Sequence, residues 1–194
     1  ARPEIKFTSP VSGTIEEIKR GERRKLLEVV VKADTETRYH DFGKVEINKL
    51  KREEIINRML EGGVWPMVKQ RPYDIIANPT TTPKAIFVSG FDSAPLAPDY
   101  EFILNGQEHD LQTGFDCLSK LCNKNVNLNL EAGTPSASVF TKLKNVEINY
   151  FSGPHPCGNV GIQINHLNPI NKGELVWVVN IQDVAIIGRL FNEG

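Results

Sequence analysis

Apolar and polar residues alternate along the chain with two different periods, and the change of period predicts the elements. Large apolar residues between positions 50 and 60 recur at helical spacing among charges, which predicts an amphipathic helix over about 51–61. Before it, the run LLEVVVKAD is apolar and β-branched. We therefore expect two or three strands in this first segment, joined by a charged turn at residues 20–25.

From residue 85 onward, strand-like runs alternate with helical patterns. Strands are predicted at 85–89, 125–130, 146–151 and 176–180, and helices at 108–122, 137–143, 158–167 and from 182 onward. Such alternation implies crossover connections. The predicted fold class is α/β, with a mostly parallel, Rossmann-like sheet of four or more strands, preceded by a small β-rich segment and a linking helix.

Three parts are expected along the chain. Residues 1–65 form the β-rich module together with the amphipathic helix. Residues 66–84 hold four prolines and are expected to be an extended connector, because that density resists both helix and central strand. Residues 85–194 form the Rossmann-like α/β domain.

Composition and charge exclude several classes of protein. The chain is 40% hydrophobic and 24% charged, as in ordinary soluble proteins, and no run approaches the ~20 apolar residues of a membrane span. Residues 1–71 carry 16 Lys and Arg against 12 Asp and Glu, whereas residues 72–194 carry 7 against 12. A nucleic-acid binder would show a stronger basic excess, so no nucleic-acid partner is predicted. The basic run at 19–25 is either a solvated turn or a docking surface.

The stretch YFSGPHPCGNVGIQINHLNPI concentrates candidate chemistry between residues 150 and 170. The spacing of His155, Cys157 and His166 matches none of the common zinc motifs, so no metal site is predicted. His155 and Cys157 are two residues apart and usually point apart at that spacing, which disfavours a nucleophile with its base. Two interpretations stay open: a tight turn only, or a strand-to-helix turn at the ligand-binding edge of the sheet.

The first strand-to-helix junction argues against nucleotide binding. It reads FVSGFDSAPLAPD, with one glycine where a dinucleotide fold needs G-x-G-x-x-G, and without a Walker lysine. Asp92 places a carboxylate where a pyrophosphate would lie. We therefore predict an α/β domain that has no nucleotide loop.

Several long blocks resemble a known family. SPVSGTIEEIKRGERR, RPYDIIANP, PKAIFVSGFDSAPLAPD, GPHPCGNVGIQINHLNPI and VNIQDVAIIGRLF resemble, in this order, the A subunit of the bacterial sodium-translocating NADH:quinone oxidoreductase. The matched blocks cover nearly the whole chain, which looks like an internal fragment of a longer polypeptide. SPVSGTIEEI also looks like one half of a biotinyl/lipoyl-type β-domain, so the β-rich segment is expected to be barrel-sandwich-like.

The resemblance implies a peripheral subunit on the cytoplasmic face of the bacterial inner membrane. The complex passes electrons from NADH to ubiquinone and exports Na⁺; its flavins and iron–sulfur centre lie on other subunits. This chain would bind no cofactor covalently and would be inactive alone. Its expected partners are the membrane and peripheral subunits of the same complex and the quinone.

A quinone pocket needs an apolar wall, an aromatic ring and one or two donors for the carbonyl oxygens. The junction between the amphipathic helix and the first α/β strand, together with the sheet edge, offers six candidates: Trp65, Arg71, Tyr73, Phe91, Ser152 and His155. The alternative function is a redox-inactive assembly scaffold with no ligand of its own.

Overall fold

The structure is a computed structural model that describes residues 2–194. The chain divides into two compact units, one formed by Phe7–Asp41 and the other by residues 2–6 with 42–194. Among the described residues, no helix is long and apolar enough to cross a membrane.

The smaller unit is an antiparallel β-hairpin. Strands β1 (Gly13–Arg20) and β2 (Leu26–Ala33) pair with Ile15 opposite Val31 and Ile18 opposite Val29. The connecting turn contains the short 3₁₀ segment Glu22–Arg24. The prediction of strands joined by this charged turn is confirmed, with two strands in the hairpin.

The larger unit contains a six-stranded mixed sheet in the order β4-β3-β8-β5-β6-β7. Strands β8, β5, β6 and β7 are parallel to one another, whereas β3 runs antiparallel to both β4 and β8. The predicted α/β class with mostly parallel strands is therefore confirmed. The strand bounds are β3 Lys69–Arg71, β4 Ile75–Ile76, β5 Ile86–Ser89, β6 Val126–Glu131, β7 Val146–Phe151 and β8 Val176–Val178.

Five α-helices accompany this sheet in residues 2–194. They are α1 Arg52–Glu61, α2 Tyr100–Ile103, α3 Glu108–Cys122, α4 Val160–Leu167 and α5 Ile181–Asn192. The predicted helix at 137–143 is only a 3₁₀ turn, Val139–Lys142. Helix α2 was not predicted because its single turn is too short to show a period; it begins where the Asp99 carboxylate accepts from the amides of Glu101 and Phe102.

The core lies mainly on one face of the sheet. Successive strand residues point to opposite faces, so Ile86 and Val88 face the main cluster, which also includes the buried sides of α1, α3 and α5. Phe87 and Val178 face the other side, where Ile164 of α4 covers them. The sheet is thus covered by helices on both faces, as parallel strands require.

The proline-rich segment differs from its predicted role as a connector. Residues 66–84 supply β3 and β4, which extend the sheet at one edge, and α1 packs into the α/β core. The physical reason is the placement of the prolines. They fall outside the strand residues, so no ladder hydrogen bond is lost, and an edge pair tolerates them. The boundaries predicted at 65 and 84 consequently fall inside the larger compact unit.

Candidate functional site

A cleft of about 270 Å³ opens at the carboxyl ends of β5 and β8. Parallel strands bring their carboxyl ends to one edge, where ligands bind in open α/β sheets. Four elements line the cleft: the end of β3, the loop after β5, and the starts of α4 and α5. Their main contributions are Arg71, Phe91, Asp92, His155, Asn159 and Ile181.

The GPHPCGN turn is joined to the loop after β5 by hydrogen bonds. The Gly158 amide donates to Ser93 Oγ at 2.9 Å, and the same hydroxyl lies 3.1 Å from His155 Nδ1. A Cβ atom at Gly158 would lie 2.4 Å from the Ser93 nitrogen. Only glycine therefore allows the two loops to approach this closely.

Arg71 brings the positive charge of the site. Its Nε lies 3.4 Å from an Asp74 carboxylate oxygen, which is an ion-pair distance. The geometry of this contact is not that of a hydrogen bond, and the buried Nε has no hydrogen-bond partner. The two charges are therefore paired, while the donor capacity of Nε is unused. Asp92 also lines the cleft, so the site contains both signs of charge.

Tyr100 adds a hydroxyl group to the lining of the same cleft. Burial raises the pKa of the Tyr100 hydroxyl, and the nearby Asp92 carboxylate raises this pKa further. The phenol therefore stays protonated at neutral pH and can donate a hydrogen bond into the cleft.

The six quinone candidates separate into three groups. Arg71, Phe91 and His155 meet at the cleft. Trp65 lies in the core, where its Nε1 donates to the Ala77 carbonyl at 2.9 Å and its ring meets that of Trp177 edge to face. Tyr73 is 79% exposed on a different groove, and Ser152 is exposed and does not line the cleft.

Sequence reasoning missed several side chains that shape this edge. Ser89, Asn129 and Gln163 form a polar cluster in which Asn129 and Gln163 are buried and the half-buried Ser89 lines the cleft. The Asn159 side chain caps α4 by accepting from Gly161 N at 2.8 Å. One signal was present: the strand NVNLNL keeps asparagines at alternate positions although its neighbours are apolar. That pattern also fits a half-exposed strand, so it did not indicate a buried cluster.

Two of the three cysteines are buried, whereas Cys157 is partly exposed. No group of three or more His, Cys, Asp or Glu side chains could hold a metal ion in this part of the chain. The three cysteines are free, and Cys117 and Cys122 are buried. Burial raises the pKa of the Cys117 thiol far above its usual value, and burial likewise raises the pKa of the Cys122 thiol, which disfavours the reactive thiolate in both.

Fold and cleft together define an α/β domain with a cleft at the carboxyl edge of its sheet; the chain also contains a separate β-hairpin unit. The protein-family model described as the NqrA second alpha/beta domain matches residues 50–194. A second family model, the NqrA N-terminal barrel-sandwich hybrid domain, matches residues 1–34. The chain belongs to the NqrA family.

Similar proteins are named as the A subunit of a Na(+)-translocating NADH-quinone reductase. The chain is 36% identical to that of Yersinia pseudotuberculosis serotype O:1b (strain IP 31758) and 37% identical to that of Vibrio vulnificus (strain YJ016), in each case over 99% of this chain and 43% of the relative. It thus spans less than half the length of the curated relatives it matches.

A solved structure shares the fold. The crystal structure of NAD+-reducing [NiFe]-hydrogenase in the air-oxidized state aligns with a TM-score of 0.52 at 13% identity, over 74% of this chain and 31% of that one. At this identity the likeness concerns the fold alone.

Proposed function

We propose that this chain is part of the peripheral subunit of a respiratory, Na⁺-pumping NADH:ubiquinone oxidoreductase. In this proposal it lies on the cytoplasmic face of the bacterial membrane, contributes to quinone binding and docks on the membrane subunits. Membership of the NqrA family and the name of its relatives support the complex. The flavins and the iron–sulfur centre are assigned to other subunits, and the isolated chain is expected to be inactive.

The cleft is the observation that carries quinone binding. A quinone headgroup is flat and uncharged, with two carbonyl acceptors at opposite ends. Phe91, Val178 and Ile181 supply an aromatic and apolar wall, while Arg71 and His155 supply donors. Where Ser93 donates to His155 Nδ1, the imidazole carries its proton on Nε2, which can then donate to a carbonyl oxygen.

An uncharged ligand suits the cleft better than a nucleotide. We infer that the sheet is Rossmann-like without the phosphate-binding loop of that fold. The loop after β5 folds around Asp92, whose carboxylate accepts from Ala94 N at 2.9 Å and lines the cleft. A phosphate there would face this negative charge at close range, which disfavours phosphate binding.

Docking is supported by exposed apolar side chains near the same edge. Leu96 is 97% exposed in the loop after β5, and Phe102 is 82% exposed on α2. Large apolar side chains at such exposure favour a protein–protein contact when they cluster. The second candidate function, a redox-inactive scaffold, would use these contacts and leave the cleft empty.

Paired histidine variants in the assembled complex test quinone binding. His155→Ala removes a donor from the cleft, and the loss of one hydrogen bond to a carbonyl should raise the KM for ubiquinone about fivefold to tenfold. Arg71→Ala should act in the same direction. His166→Ala is the matched control, since His166 is exposed on α4 and does not line the cleft.

A photoreactive quinone gives an independent measurement. Labelling within residues 89–94 or 153–160 that excess ubiquinone suppresses would support the cleft. An unchanged KM in both cleft variants, together with labelling confined to other segments or subunits, would favour the scaffold.

A further inference from the structure

Three neighbouring strands place polar side chains at one level of the sheet. Ser89 of β5 pairs with Asn129 of β6, and Asn129 pairs with Asn149 of β7. Since paired residues share a face, these three side chains form a polar row on the side that α4 covers. Gln163 of α4 reaches down onto this row.

The Gln163 amide is completely buried and its polar atoms are bonded. Its Oε1 accepts from Asn129 Nδ2 at 2.8 Å, and its Nε2 donates to Ser89 Oγ at 3.0 Å and to the Cys157 carbonyl at 3.2 Å. Asn129 is also fully buried, and its Oδ1 accepts from Asn149 Nδ2 at 3.2 Å. Every amide hydrogen of Gln163 is thus used.

Attachment of α4 to the sheet does not require this amide. Ile164, the next residue, already packs on Phe87 and Val178 in a small apolar cluster. An apolar side chain at 163 with apolar partners would stabilise the fold at least as well, because buried amides gain little net free energy. The row therefore points to a role other than stability.

Gln163 is linked by hydrogen bonds to both loops of the cleft. Its direct bond to the Cys157 carbonyl holds the turn that carries His155. Through Ser89, whose hydroxyl donates to the Phe91 carbonyl at 2.8 Å, it also holds the loop that carries the aromatic wall. One buried side chain is thus bonded to the turn that carries the donor and, through Ser89, to the loop that carries the ring.

We propose that Gln163 is the positioning residue of the quinone cleft, and that its amide sets the distance between the Phe91 loop and the His155 turn. It does not touch the ligand, since it does not line the cleft. This role rests on the proposed function, because the spacing of the loops matters only where the cleft holds quinone.

Gln163→Leu in the assembled complex is the primary test. Leucine keeps the volume but leaves the Cys157 carbonyl without its donor. The turn that carries His155 should then be displaced. The KM for ubiquinone should rise about tenfold, while kcat at saturating quinone should change by no more than about twofold. Loss of assembled complex with a normal KM would mean that the residue is only structural, and would overturn the proposal.

Gln163→Glu adds a readout that a purely structural role would not move. The introduced carboxyl keeps the acceptor for Asn129 and, when protonated, one donor for the Cys157 carbonyl. Burial raises the pKa of such a group well above the usual ~4.3. We expect a KM near that of the unmodified complex at pH 6, rising toward that of the leucine variant at pH 9. The measured quantity is the KM of the Gln163→Glu complex divided by the KM of the unmodified complex. If this ratio stays constant from pH 6 to pH 9, close to the ratio for Gln163→Leu, the result would count against positioning.

Ser89→Ala covers the case in which Gln163→Leu does not assemble. Ser89 lines the cleft, and the substitution removes the hydroxyl that accepts from Gln163 and donates to the carbonyls of Phe91 and Gly158. The KM should therefore rise about threefold; an unchanged KM would count against the link.

Comparison with His155→Ala separates two failures. If His155→Ala raises the KM and Gln163→Leu leaves it within twofold, the cleft binds quinone and the positioning role is overturned. If neither variant changes the KM, the proposed function fails and the positioning role fails with it.

Discussion

Gly188→Ala should destabilise the larger unit although alanine is the better helix former. Gly188 lies inside α5 where this helix crosses α3. A Cβ atom there would lie 1.8 Å from the Asp110 carbonyl oxygen and 2.8 Å from the Gly114 nitrogen. Both neighbours are backbone atoms, so no side chain can rotate away.

Two effects of opposite sign decide the magnitude. Alanine is favoured over glycine by ~1 kcal/mol in a helix interior. Against this, α5 must retreat by about 1.5 Å to restore van der Waals contact, and overpacking of this kind costs ~1–3 kcal/mol. The retreat also stretches the bonds from Asp110 to Asn192 and Arg189, now 2.7 and 3.2 Å, at ~1 kcal/mol each. The net loss should be about 2–4 kcal/mol.

Urea unfolding of the chain, followed by circular dichroism, measures this loss. With a slope of ~2 kcal/mol per M, the midpoint should fall by about 1–2 M. Gly161→Ala is the matched control: it lies in α4, and its Cβ would approach only the Asn159 side-chain oxygen, at 3.1 Å. Its midpoint should stay level or rise. A Gly188→Ala midpoint equal to or above the parent value would refute the close crossing of α3 and α5.

Three further outcomes follow from single residues. A maleimide should label partly exposed Cys157 well before Cys117, because burial raises the pKa of the Cys117 thiol and hides it; mass spectrometry after short exposures would show the order, and early labelling of Cys117 would contradict its burial. Asp183→Asn should raise the urea midpoint at pH 7 but not at pH 3. Burial raises the pKa of the Asp183 carboxyl in the folded state, so the folded state loses stability as the pH rises above 3.8, the pKa of this carboxyl in the unfolded chain. Equal gains at both pH values would exclude this cause. Gly158→Ala should push the loop of Ser93 away by about 1 Å and raise the quinone KM several-fold, whereas an unchanged KM would show that this contact does not shape the cleft.

Local pattern was enough for most of the elements. The amphipathic stretch near residue 55, the helix at 108–122 and the strand at 146–151 were all predicted within one or two residues of their observed bounds. Helical and strand periods depend on nearest neighbours in sequence, which a single chain displays directly. The parallel order of the later strands followed from their alternation with helices.

The candidate site depended on contacts that no local pattern contains. Arg71 reaches the cleft because β3 joins the sheet beside β8, a pairing between segments more than one hundred residues apart. Trp65 is an aromatic residue of the kind that lines quinone pockets, but packing against Trp177 buries it completely. Exposure of an aromatic side chain is decided by the packing around it rather than by its neighbours in sequence.

By itself, the sequence determined the α/β class of the fold, the order of most of its elements and, through long blocks of resemblance, the family. Only the tertiary structure decided which side chains meet. Ser89, Asn129 and Gln163 come from two strands and a helix, and each reads as an ordinary polar residue. Their contact arises from strand register and from the crossing of α4 over the sheet, which are long-range consequences of packing the whole core.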